Sequence, residues 1–175
     1  LNTRPAKSAA KYAQIWEKEG SPLKVHTERQ AKLVRGYIGT RGVRDIDVAW
    51  AMRYGQPSIP AVLDDLAARG CTRVLVVPLY PQHAGSTTAS VIDAIAAWQR
   101  RAKKPLDIRS VPSFPDHPGY IAALAASVRH HWEKVGPPAH GDRLLMSFHG
   151  IPKRMAERGD PYPRECERTA QALAQ

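Results

Sequence analysis

An α/β fold, with a three-layer, mostly parallel open sheet and helices on both faces, is what this 175-residue sequence predicts. Short apolar runs, too brief to be independent helices, recur at 46–52, 74–79, 106–111 and 144–149. Between them lie segments whose apolar residues recur every three to four positions. Glycine and proline punctuate nearly every change of period. Strands alternating with amphipathic helices specify a parallel sheet with right-handed crossovers, and the predicted order is ααβαβαβαβα.

The first predicted helix covers 5–19, on the spacing of Ala9, Tyr12, Ala13 and Trp16, and Gly20-Ser21-Pro22 ends it. A second covers 25–38, with Thr27 as a cap and Ala31, Leu33, Val34 and Tyr37 on an apolar face. The strand 46–52 runs out through Arg53-Tyr54-Gly55. A helix over 58–69 follows from Ile59, Val62, Leu63 and Leu66, and Gly70 closes it as a C′ residue should.

The β-branched run 74–79 reads as the covered middle of a parallel sheet. It leaves through Tyr80-Pro81-Gln82-His83-Ala84-Gly85, and from about Ser86 the sequence turns helical through Val91, Ile92, Ile95 and Trp98. The strand 106–111 leaves through Pro112 to His117, and the helix 119–132 carries Tyr120, Leu124 and Val128 on one side. The run 144–149 reads as a strand buried on both faces with His149 at its end, and a last helix starts at Pro163 or Arg164.

An apolar content of 43% is enough for a sizeable core, and 26 Lys plus Arg against 16 Asp plus Glu leave a formal charge of +10. Such charge admits nucleic acid, an anionic membrane surface or an acidic small molecule as partner. The basic residues are scattered, and the densest run, Arg100 to Lys104, sits at a helix end where cations are favoured by the dipole. That argues against a nucleic-acid surface. Cys71 and Cys166 form neither a disulfide framework nor a zinc spacing, which suits a reducing cytoplasm. No apolar run reaches the roughly 20 residues that cross a bilayer, while peripheral membrane contact stays open.

If the strands are parallel, their exits share one rim: Arg53 and Tyr54, Gln82 and His83, 114–117, and His149. An imidazole at such a rim is placed for chemistry as readily as for a loop contact. Gly85-Ser86-Thr87-Thr88 could cradle a phosphate at a helix N-terminus, although capping by serine or threonine is the commoner use of such a turn. His117 and the pair His130-His131 read as structural or surface histidines.

Ser147-Phe148-His149-Gly150-Ile151-Pro152, followed by Arg158-Gly159-Asp160-Pro161-Tyr162, resembles the ferrochelatase signature. Leu79 to Thr88 is similar to that family's L-Y-P-Q-Y-S-x-S-T-T, Met52-Arg53-Tyr54-Gly55 to its M-R-Y-G, and Tyr12 to Leu23 to the segment before them. The resemblance spans essentially the whole chain.

It implies a chelatase-like fold and insertion of ferrous iron into a porphyrin, the terminal step of haem synthesis. Two pyrrole protons must leave as the metal enters, and an imidazole neutral near pH 7 can accept a proton or ligate iron. The resemblance assigns that role, catalytic and metal-binding, to His149. Arg53, Tyr54, Tyr80, Gln82, Ser86 and Thr87 are the expected substrate-binding residues, and basic residues on the rim could pair with porphyrin propionates. Porphyrin and ferrous iron are the expected partners, with iron as substrate, no permanently bound cofactor and no nucleic acid; oligomeric state is open. Some family members carry a cysteine ligand to an iron–sulfur cluster where this chain has Gly85, so no such cluster is expected.

The resemblance also implies an internal fragment: 1–139 as a partial first domain, and 140–175 as the histidine strand and the start of a second. The family's first strand and the acidic residue opposite the histidine have no counterpart here, so a weakly active or inactive piece is expected. The expected location is the cytoplasm, with membrane-peripheral contact open. The alternatives are a chelatase for another metal and tetrapyrrole, and a flavodoxin-like phosphate or flavin module.

Overall fold

The computed structural model describes residues 4–175, with side chains from residue 8. The chain forms two compact units, 1–70 and 71–175.

The first unit is helical: α1 (Arg4–Ala13), α2 (Pro22–Thr40) and α3 (Ile59–Ala68). Helix α1 stops well short of the predicted end at 19, because the chain turns through a tight bridge between Glu17 and Gly20. Helix α2 starts before the predicted cap. Ser21 caps it by accepting from the Lys24 N–H, with Pro22 in the first turn where its missing N–H costs nothing. Thr27 therefore lies inside the helix, and its hydroxyl donates to the Leu23 carbonyl.

Val25, Ile59, Leu63 and Leu66 are the buried apolar residues of this unit. The expected apolar face of α2 is open instead: Leu33, Val34 and Tyr37 are exposed. Helix α3 follows the reading closely, capped by Ser58 and closed by Gly70, whose φ of +86° is the left-handed conformation a C′ position requires. The expected strand at 46–52 does not form. Its bonds are a bridge from Met52 to Ser58 and a bond from the Arg35 guanidinium to the Val48 carbonyl, which give no ladder.

The second unit is α/β, as predicted, with a smaller sheet. β1 (Arg73–Val76) pairs in parallel with β2 (Asp107–Ser110), Arg73 opposite Asp107 and Val76 opposite Ser110. α4 (Thr88–Gln99) is the crossover between them, and α5 (Pro118–Val135), α6 (Lys153–Glu157) and α7 (Tyr162–Leu173) follow. Thr88, Val91, Ile95 and Trp98 recur along one face of α4 and are buried with Ala84 and Leu106. Ile92, in the same helical run, is exposed.

Two expectations for the sheet are corrected. The run 74–79 is not covered on both faces: Leu75 is 66% exposed, and Val77 and Leu79, on the same side by the two-residue period, are exposed as well. Nor is 144–149 a buried strand. No ladder partner reaches it among the described residues, and Leu145 is 92% exposed. An apolar run becomes a strand only when its N–H and C=O groups find an edge to pair with, and among the described residues β2 is the single neighbour of β1.

Candidate active site

The second unit gathers the exit loops of β1 and β2 around α7 and the turn before it. Beyond β2 the ladder is continued by Val111 N–H to the Val76 carbonyl at 3.0 Å, and the two exit loops are joined by Phe114 N–H to the Pro81 carbonyl at 2.8 Å. Several further bonds to these loops come from α7 and the turn before it. Tyr162, Glu165, Cys166 and Thr169 sit at the i, i+3, i+4, i+7 positions that share one helix face.

Each uses a different group. The Glu165 carboxylate accepts the His83 backbone N–H at 2.6 Å and the Ser113 hydroxyl at 2.9 Å. The buried Thr169 hydroxyl donates to the Pro115 carbonyl at 2.6 Å and accepts from the Gln82 amide at 2.8 Å. Arg168 grips the Asp116 carboxylate, its closest contact 2.7 Å, and holds that carboxyl below the usual range. Asp160, in the Gly-Asp-Pro-Tyr turn, accepts from the Gly85 N–H at 2.9 Å with one oxygen and from the Tyr162 N–H at 3.0 Å with the other.

Burial pushes the Tyr162 phenol above its ordinary range, with the neighbouring Cys166 thiol adding to the rise and the His149 backbone opposing it. Burial likewise raises the Cys166 thiol, with Tyr162 opposing the rise. His149 is exposed.

Tyr80 is half-buried at the exit of β1. Gln82 is used differently from the expectation, since its amide nitrogen is committed to Thr169 and it braces the loop. Ser86 is exposed; Thr87 precedes the first residue of α4 but makes no capping bond, and its hydroxyl points back to the Ala84 carbonyl at 3.4 Å. Arg53 and Tyr54 belong to the first unit, where the guanidinium lies 4.5 Å from the centre of the exposed Tyr54 ring, a cation–π contact. The strands that were to carry Arg53 and His149 to a common rim are absent from the sheet, whose exits are those of β1 and β2.

Glu165 and Thr169 escaped the sequence reading, although their helical spacing after the Gly-Asp-Pro-Tyr turn was visible. His117 is structural as read, capping α5 by accepting from the Gly119 N–H at 3.2 Å. Among the described residues no cluster of three or more His, Cys, Asp or Glu could hold a metal ion, and no helix is long and apolar enough to cross a membrane.

Comparison with known proteins agrees with this arrangement of motifs. The Ferrochelatase family model matches residues 1–175. A ferrochelatase of Aromatoleum aromaticum is 61% identical over 174 residues, covering 99% of this chain and 47% of that protein. Ferrochelatases of an Azoarcus species and of Dechloromonas aromatica are 58% and 55% identical over 175 residues, again 47% of each. The chain thus spans about half the length of the curated relatives it matches. On the match over its full length, the chain belongs to the ferrochelatase family.

Proposed function

We propose that the protein carrying this chain inserts ferrous iron into a porphyrin, with His149 as the group that accepts a pyrrole proton, ligates the incoming iron, or does both. The observation that carries the reading is the family match over all 175 residues. The exposure of His149 supports its role, because a group that must meet both a macrocycle and a metal cannot be buried. Overall the reaction releases two protons from the macrocycle for each divalent iron bound, so a base near neutral pKa at the face of the ring is the chemical requirement.

Tyr80, Ser86 and Thr87 would line the ring's binding surface on this unit, with Gln82 bracing them through Thr169. The match of Met52-Arg53-Tyr54-Gly55 to the family's M-R-Y-G makes Arg53 and Tyr54 further substrate-binding candidates. The net charge of +10 suits a dicarboxylic porphyrin. Iron is a substrate here, and glycine at position 85 offers no thiolate for an iron–sulfur cluster. A cytoplasmic location, peripheral to a membrane or free of it, and no nucleic-acid partner belong to the same proposal.

The test uses the full-length protein. His149→Ala should abolish iron or zinc insertion into a dicarboxylic porphyrin while leaving the melting temperature unchanged, since an exposed ring contributes little to packing. Near-normal turnover by that variant would overturn the assignment.

A further inference from the structure

Past Pro81, whose carbonyl accepts the Phe114 N–H, the segment to Thr87 has no ladder partner among the described residues, so side chains must help fix its backbone. Around His83 that task falls to one side chain 82 residues later in the chain: Glu165 takes the His83 N–H on one carboxylate oxygen at 2.6 Å. Its other oxygen takes the Ser113 hydroxyl at 2.9 Å, on the loop after β2. The His83 ring nitrogen Nδ1 lies 3.3 Å from the Pro112 carbonyl on that same loop. Glu165 is therefore one point, beside Thr169, at which both strand exits are held to α7.

We propose that Glu165 is a positioning residue for porphyrin binding: without touching either substrate, it sets the backbone of the loop that presents Tyr80, Ser86 and Thr87. The inference rests on the chelatase reading above. What separates it from a purely structural role is redundancy elsewhere. Thr169 with Pro115 and Gln82, Arg168 with Asp116, and Asp160 with Gly85 all keep α7 and its turn docked without Glu165. Glu165 is half-buried and its bonds go to loop groups, so its loss should loosen the loop locally and leave the helix in place.

The experiment compares porphyrin binding, by fluorescence quenching without metal, and steady-state insertion in the full-length protein. Glu165→Ala should weaken porphyrin binding about tenfold and raise the porphyrin KM equally, the scale expected for losing one charged hydrogen bond, with kcat little changed. Glu165→Gln should restore both, because its carbonyl can accept from His83 and its amide can donate to the Ser113 oxygen. Ser113→Ala, which removes one partner and leaves the helix intact, should show a smaller loss in the same direction and serves if Glu165→Ala fails to fold. Unchanged binding in the alanine variants, a loss confined to kcat, or a glutamine variant as weak as alanine would overturn the proposal. If instead the unaltered protein binds no porphyrin, or His149→Ala inserts metal normally, the chelatase reading itself fails.

Discussion

Replacing Thr169 by valine isolates the bonds that pin both exit loops to α7. Valine has the shape of threonine, so the substitution opens no cavity, and any loss comes from the polar partners left behind. The Pro115 carbonyl, donated to at 2.6 Å, is buried and cannot turn to water; stranding such an acceptor costs roughly 1–3 kcal/mol. The Gln82 amide, bound at 2.8 Å, is half-buried and can rehydrate, so it adds roughly 0.5–1 kcal/mol. The expected destabilisation is about 1.5–4 kcal/mol. Thr169→Ser keeps the hydroxyl and loses one methyl, which costs only about 1 kcal/mol. Urea unfolding of the full-length protein and both variants, read as midpoint shifts at constant slope, gives the comparison. A valine variant as stable as the serine one would refute the claim that this hydroxyl holds the loops.

Truncating the fully buried Trp98 to alanine should destabilise the protein by about 3–5 kcal/mol, and a thermal midpoint within a degree or two of the original would contradict its place at the centre of the second unit's core. Asp116 has its carboxyl lowered by Arg168, so its contribution is present above the ordinary carboxylate pKa and is lost as pH falls through the depressed one. The melting-temperature gap between the unaltered protein and Asp116→Asn should therefore close in acid, and a gap that persists at the lowest pH where the protein folds would count against the pair. The Cys166 thiol, buried and raised, should alkylate far more slowly in the folded protein than half-buried Cys71; equal rates at neutral pH would show that α7 does not stay docked.

The sequence foretold most where a signal is local. Ser58 and Gly70 mark the ends of α3 because a cap bond and a left-handed C′ residue depend on the neighbouring turn alone. Val91, Ile95 and Trp98 were readable for the same reason. Strands are different, since 46–52 and 144–149 have the right composition but a ladder needs a second segment that periodicity cannot supply. The site divides along the same line. His149 stood out through the motif around it, whereas Glu165 and Thr169 act across more than fifty residues on backbone groups that no side-chain pattern reveals. Gln82 shows the converse, a polar residue in the right motif whose amide turns inward to brace the loop.

The proposed porphyrin surface joins the exit of β1, held from α7, to the segment ending at His149. Amide hydrogen exchange of the full-length protein, with and without a dicarboxylic porphyrin, tests it most directly. Residues 79–88 and 146–150 should both gain protection on binding, and should lose that gain together in Glu165→Ala. Protection confined to one of these segments, or to neither, would contradict the account.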